Sequence, residues 1–287
     1  MNHGGSGAVR VSGDEAARLL ASGPVSILDV RTPGEFAQLG HLPGARLLPV
    51  DLVASAPAVL PDDGTPILVC CEHGVRSAAA AEVLVAAGLA PVYDLAGGMA
   101  AWRGARDFGS APIAGPAGWL LEHARLLPRG APVLDVAAGR GRHALLLAGA
   151  GWPVTAVDRD AETMEALGRV AARMGWPVTA QVLDLEAPGV DLGAGRYGAI
   201  VVVHYLHRPL VPALVAALAP GGVLFYETFT TAQAARGRPT NPDYLLEPGE
   251  LPRLVAPLVV EQQREGEVDG RMVASVVARK LSAPERA

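Results

Sequence analysis

Cys71 heads the segment Cys71-Glu72-His73-Gly74-Val75-Arg76-Ser77, which lies between an apolar run at 67–70 and an Ala/Leu-rich stretch at 76–87. A cysteine at a junction from strand to helix meets converging backbone N–H groups and the positive end of a helix dipole. Both favour thiolate over thiol. Gly74 lets the loop curl and Arg76 adds a fixed positive charge, so the cradle suits a thiolate and equally a persulfide anion. Glu72, His73 and Val75 complete the loop, and His73 reads either as a contact for an anionic sulfur donor or as plain exposed loop. Cys70, the preceding strand residue, is expected to point into the core.

A second set lies downstream. The strand candidate 133–136 runs into Ala137-Ala138-Gly139-Arg140-Gly141-Arg142-His143-Ala144, a glycine turn opening a helix. Asp158 follows the strand candidate 154–157, and Asp184 ends the next one at 178–183. Acids at the ends of successive parallel strands face one crevice, which is where open α/β sheets bind ligands. Asp158 is placed to hold both hydroxyls of a ribose, and Asp184 to accept from an adenine amino group. Gly139-x-Gly141-x-x-Ala144 also fits a dinucleotide fingerprint. Asp135 separates the two readings, because a carboxylate just before the turn repels a pyrophosphate but suits a ligand carrying a sulfonium and an ammonium group. S-adenosylmethionine (SAM) is therefore the expected cofactor, and a nicotinamide-dependent oxidoreductase is the alternative.

Methyl transfer from a sulfonium is an in-line displacement at an activated carbon. The protein has to position the acceptor, exclude water and, where needed, remove a proton. Candidates are His204, for contact with cofactor or acceptor, with Tyr205, His207 and Arg208 behind it, and Glu227, Arg238, Asn241 and Tyr244 further on. His207 and Arg208 precede Pro209 and also read as a surface turn. His204 and His207 lack Cys or acidic companions at metal spacing, so no metal site is expected.

The elements that must position these residues follow from the apolar pattern. Short apolar runs at 25–30, 47–50, 67–70 and 92–95 read as strands, with a helix at 76–87 stopping at Gly88. Residues 108–118 are small residues and prolines without periodicity and read as a linker. A helix at 119–127 opens a second series, with strands at 133–136, 154–157, 178–183, 199–203 and 223–227. The runs 259–265 and 272–279, separated by Val268-Asp269-Gly270, read as a hairpin. The expected fold class is α/β in two domains, 1–107 and 119–287, the second a seven-stranded, mostly parallel sheet with a terminal antiparallel hairpin.

Composition narrows the functional classes. With 50% hydrophobic residues in 287, the chain can bury a sizeable core. Seven basic against eleven acidic residues stand in 1–107, and 17 against 18 after it, so neither half suits a sequence-independent grip on nucleic acid phosphate. Only two cysteines are present, adjacent in sequence, and the N-terminus has no apolar signal region, so a reduced, cytoplasmic protein is expected. The longest uncharged stretch, 210–226, is broken by prolines and glycines, and no membrane association is expected.

The first half resembles the rhodanese-like sulfurtransferases through ILDVR (27–31), EFAQLGHLPGA (35–45), the CxxGxR loop (71–76) and LAGGMAAW (95–102). The resemblance implies that Cys71, with Arg76 beside it, takes a sulfane sulfur from a small donor and passes it to a nucleophile. A rhodanese fold kept only as a sensing or docking module is the competing reading. The second half resembles class I SAM-dependent methyltransferases of the tellurite-resistance and thiol-methylating group. The carrying motifs are LDVAAGRGRHALLLA, VTAVD, YLHRPL, LAPGGVLFYETF and GRPTNPDYLLEPGEL. This implies that Gly139 and Gly141 let the cofactor approach the backbone, that Asp158 binds ribose and that Asp184 and Leu185 flank adenine. Ala137 departs from the glycine many members have there. The implied acceptor is small, a thiol, a sulfide or a chalcogen oxyanion.

Overall fold

The structure is a computed structural model that describes residues 7–282. It divides into two compact units, one of Met1–Pro116 with Arg169–Trp176 and one of Ala117–Gly168 with Pro177–Ala287.

In the first unit the chain runs β1 (Val9–Val11), α1 (Gly13–Ser22), β2 (Ser26–Asp29), α2 (Pro33–Leu39), β3 (Arg46–Leu47), α3 (Ala56–Val59), β4 (Ile67–Cys70), α4 (Arg76–Ala86), β5 (Val92–Leu95) and α5 (Gly98–Ala101). The strands form one sheet in the order β1-β5-β4-β2-β3, with every pairing parallel. Every residue of β4 is buried, as expected of a central parallel strand covered on both faces. β1, α1 and α2 go beyond the strands and helix read from the sequence. Their signal was present all the same: Ser12 with Glu15 and Thr32 with Glu35 form capping boxes that satisfy orphan N–H groups at the helix starts. The stretch read as a linker is partly packed, since Ile113 bridges to Leu47 and Ala114 N donates to the Leu47 carbonyl at 2.8 Å.

Beyond Pro116 the chain runs α6 (Gly118–Glu122), β6 (Val133–Val136), α7 (Arg142–Gly149), β7 (Val154–Asp158), α8 (Ala161–Met174), β8 (Val178–Val182), β9 (Tyr197–Val203), α9 (Val211–Ala217), β10 (Leu218–Phe229), α10 (Glu250–Leu254), β11 (Val259–Val268) and β12 (Arg271–Arg279). The strand order is β11-β12-β10-β9-β6-β7-β8, parallel except where β12 pairs antiparallel with both β10 and β11. The core on one side of this sheet gathers Leu134, Val136, Ile200, Val202, Leu224 and Val276 from alternate strand positions. Two expectations shift. The helix read at 119–127 stops at Glu122 and continues as a short 3-10 turn, Ala124–Leu126. β10 begins at Leu218, before Pro220-Gly221-Gly222, because the strand absorbs that triplet as a register shift between Leu218 and Val223.

Lys280 is the chain's one lysine among 24 basic residues. Its Nζ donates to the carbonyls of Val215 at 2.8 Å, Ala216 at 3.3 Å and Leu218 at 2.7 Å, at the C-terminal end of α9. A compact ammonium with three donors satisfies carbonyls that the helix leaves without intrahelical partners, at the negative end of its dipole. Lys280→Met is expected to destabilise the second unit by about 1–3 kcal/mol. Urea unfolding of the intact chain, followed by Trp fluorescence, checks this, and an unchanged midpoint would show that the cap contributes nothing.

Candidate functional site

Cys71 is the first residue after β4, and the loop it opens ends at Arg76, the first residue of α4. Its side chain is buried, with Gly74 N donating to Sγ at 3.1 Å and Ser77 Oγ at 3.3 Å from the sulfur. Gly74 makes this turn at φ 79°, in the left-handed region, and an added Cβ would stand 2.9 Å from Gly97 N. Burial opposes ionisation of the Cys71 thiol. Hydrogen bonds from the Ser77 side chain and from the backbone at Ser77, His73 and Gly74 outweigh it and bring the pKa below the usual thiol value. Cys70 is the opposite case: it is fully buried in the core, and burial with the nearby Asp29 charge pushes its thiol well above the usual range.

Two anchors hold the loop. At the first, Met99 N and Ala100 N, in α5, donate to the carbonyls of Cys71 at 2.7 Å and Glu72 at 2.9 Å. Gly98, at φ 60°, permits that approach, since a Cβ there would lie 2.4 Å from the Cys71 carbonyl oxygen and 2.5 Å from that of Glu72. The second is Arg31, fully buried, which pairs with Asp29 at 2.8 Å and Glu72 at 2.7 Å and donates to the Gly40 carbonyl at 2.8 Å. Arg76 is held at the loop's end by Glu35, at 2.9 and 2.5 Å, and this pairing, joined by the capping bonds to Thr32, takes the Glu35 carboxyl down to about 2. His73 and Val75 are exposed. Arg31 and Gly98 lie within the motifs that carried the resemblance, but neither was singled out from the sequence.

In the second unit, residues from several strand ends line a cavity of about 670 Å³. They include Ala137, Asp158, Arg159, Asp184, Leu185, Glu186, His204, Tyr205, Phe229, Arg238 and Tyr244. Asp158 ends β7 and accepts from Gly139 N at 2.9 Å, so the glycine turn and the β7 acid are joined directly. Asp184 Oδ1 accepts from Glu186 N at 3.0 Å. Gly139 and Gly141 turn at φ 51° and 81°, and a Cβ at Gly141 would meet Leu167 Cδ1 at 2.5 Å. Ala137 takes φ 52°, a conformation that costs an L residue about 1–2 kcal/mol, at the position where the resemblance led us to expect glycine. Asp135 is buried and accepts from Ala144 N at 3.0 Å, in the first turn of α7, with His143 Nδ1 at 3.7 Å.

His204 lies just past β9 at φ 58°, its ring stacked on Phe229 at 4.6 Å. Burial, with Arg142 and Arg271 as positive neighbours, pulls its pKa to about 3, so the ring is neutral near pH 7. The Tyr205 phenol is raised above its ordinary value by burial and by the Glu186 and Asp184 carboxylates, and its buried hydroxyl has no protein partner.

The remaining candidates do not line this cavity, and their bonds give the reason. Glu227 is buried and accepts from Ser275 Oγ at 2.7 Å and Arg264 Nη2 at 3.0 Å. Arg208 is committed to Glu250 at 2.6 and 2.9 Å and to the carbonyls of Asp243 and Leu245, so it clamps the segment that brings Tyr244 to the cavity. The Asn241 side chain accepts from Asp243 N at 3.1 Å in the same segment. His207 is half-buried beside them. Arg159 and Glu186 are cavity residues that the sequence reading did not name, although each lies beside one that it did.

Known proteins match both units. Residues 12–105 match the family described as "Rhodanese-like domain", and residues 133–222 the family described as "Methyltransferase domain". The first unit is 37% identical over 93 residues to a thiosulfate sulfurtransferase GlpE of Pseudomonas paraeruginosa, which covers 31% of this chain and 79% of the relative. It is 38% identical over 98 residues to that of Ectopseudomonas mendocina, 33% of this chain and 84% of the relative. Among solved structures, TehB from Haemophilus influenzae aligns with a TM-score of 0.50 at 18% identity, over 57% of this chain. That alignment spans 62% of TehB, less than two thirds of its length, and shows a shared fold.

Gly98→Ala tests the first anchor. Left-handed strain together with overpacking against two carbonyls is expected to destabilise the first unit by about 2–4 kcal/mol. Thermal unfolding monitored by circular dichroism reads this, and an unperturbed transition would show that the close approach of α5 does not support the loop.

Proposed function

The chain belongs to the rhodanese-like family in its first unit and carries a methyltransferase domain in its second, and from that premise we propose a bifunctional enzyme. It moves sulfane sulfur through a persulfide on Cys71 and transfers a methyl group from SAM to a small acceptor. The observation that carries the sulfur step is the cradle around Cys71 Sγ. In the forward half-reaction the Cys71 thiolate attacks the outer sulfur of a donor such as thiosulfate. The new S–S bond forms as the donor's own S–S bond breaks, and sulfite leaves with the bonding pair. The terminal sulfur carries the negative charge into the loop, where the N–H groups of Gly74 and its neighbours face it. A nucleophilic acceptor then attacks that terminal sulfur and regenerates the thiolate.

The cavity of the second unit fits SAM by its donor set. Asp158 and Asp184 suit ribose hydroxyls and an adenine amino group, Leu185 suits the face of the base, and the positive φ of Gly139 and Gly141 leaves their backbone open to close approach. When bound, SAM supplies a methyl group already activated by its sulfonium. The chain's part is placement. Tyr205, Tyr244 and Phe229 shield the cavity, Arg238 and Arg159 offer positive charge to an anionic acceptor, and His204 stays neutral and does not repel the cationic cofactor. A His204 this hard to protonate is a weak base, so the reading favours an acceptor that arrives as an anion, such as a thiolate, a sulfide or a chalcogen oxyanion.

Two variants separate the activities. Cys71→Ser is expected to abolish thiocyanate formation from thiosulfate and cyanide while leaving SAM affinity unchanged, because it removes the nucleophile in one unit only. Thiocyanate formed at the wild-type rate by Cys71→Ser would remove Cys71 as the sulfur carrier, and no thiocyanate from the unaltered chain would reduce the first unit to a sensing or docking module. Asp158→Ala is expected to weaken SAM binding by about 1.5–3 kcal/mol in calorimetry, the range for a hydrogen bond to a charged group. Undiminished SAM affinity, or stabilisation of the fold by NADH in place of SAM, would overturn the cofactor assignment.

A further inference from the structure

The Ser77 hydroxyl has one proton and two neighbours that could take it. Its oxygen lies 3.3 Å from Cys71 Sγ and 2.5 Å from Asp94 Oδ1. The shorter contact is in the range of a hydrogen bond from a hydroxyl to a carboxylate, so the proton is committed to Asp94. Asp94 sits in β5, paired on one side with β1 and on the other with β4, and is 3% exposed. Its second oxygen faces Arg10 Nε at 3.8 Å, at the wall of a groove of about 350 Å³ that also includes Glu82.

We propose that Asp94 is a positioning residue for Cys71, acting through Ser77: by competing for the Ser77 proton it limits how far that hydroxyl can stabilise the thiolate. The thiol can donate to the Ser77 oxygen. When the S–H bond breaks and the proton passes to a solvent base, the thiolate needs a donor in its place. Ser77 supplies one only by rotating its O–H away from Asp94, which leaves a buried carboxylate facing the largely exposed Arg10 alone. The Ser77 hydroxyl therefore makes Cys71 ionisation and the bonding of Asp94 mutually dependent.

The other charged groups around this chain of contacts lie on the neighbouring elements. Arg76 of α4 lies near Cys71, Glu72 and His73 share its loop, Arg31 reaches Glu72 from just past β2, and Cys70 precedes it in β4. Arg10 of β1 and Glu82 of α4 face the Asp94 end. Replacing Asp94 by its amide removes the pairing with Arg10, while the amide can donate to Ser77 Oγ and free the Ser77 proton for sulfur.

The inference rests on Cys71 as the reactive thiol, and alkylation reads that thiol directly, so a failure of sulfur transfer would leave this test standing. The rate of Cys71 alkylation by iodoacetamide is measured against pH on the full chain, with the modified residue located by fragment-ion mass spectrometry. Asp94→Asn is expected to move the profile down by about one pH unit, which makes alkylation about tenfold faster below the midpoint. In a Ser77→Ala background the same substitution should move it little. An unmoved profile in Asp94→Asn would overturn the proposal, and so would a full shift that persists without the Ser77 hydroxyl, since that would be a through-space charge effect. If Asp94→Asn fails to fold, Arg10→Gln at the exposed end serves. It should move the profile upward, because the carboxylate then holds the Ser77 proton with its charge less screened, and no movement would equally overturn the proposal.

Discussion

Parallel strand pairing is the constraint on which both sites depend. In such a sheet every strand ends on the same edge, and the chain must turn there before it can return through a helix. Cys71 follows β4, which is paired by β2 and β5 and buried along its length. Gly139 follows β6, Asp158 ends β7 and His204 follows β9, three adjacent strands of the second sheet. Strands so enclosed cannot slip by one residue without turning apolar side chains outward. The chemistry is thus placed by the register of residues that take no part in it.

Buried charge does the finer positioning in the first unit. Arg31 has lost its hydration entirely, and an isolated guanidinium in that place would be strongly unfavourable. It is tolerated because Asp29, Glu72 and the Gly40 carbonyl together fill its fork of donors, and these come from β2, the Cys71 loop and the end of α2. Glu35 performs a similar double duty at the surface, closing the capping box of α2 while holding Arg76 at the start of α4. The loop is consequently defined from three directions before any ligand arrives.

Much of this was legible from the residues themselves. The buried strands 67–70, 92–95 and 133–136 were readable as apolar runs, and Cys71, Asp158, Asp184 and His204 as polar residues at the ends of such runs. What escaped has physical causes. β1 is three residues long and mostly exposed, too short to show a period. The partners of Arg208 and Glu227 lie 42 and 48 residues away, so their types suggested an acceptor pocket where long-range pairing has made them supports. Asp94 sits inside an apolar run as its single charge. An isolated carboxylate in a central strand is a sign of a buried partner, and that partner, Ser77, is 17 residues upstream.

The placement of β12 between β10 and β11 also bears on the order in which the molecule can be made. β11 is synthesised before β12, yet among the described residues its ladder is with β12 alone. Until β12 emerges from the ribosome, β10 presents an unpaired edge along 223–229 and β11 has no template to join. A nascent chain at that stage exposes a row of unsatisfied N–H and carbonyl groups flanked by the apolar residues of the sheet, the surface most prone to pairing with another chain. Completion of this sheet therefore waits on β12, and ribosome stalling within 259–270 would leave a species suited to chaperone capture.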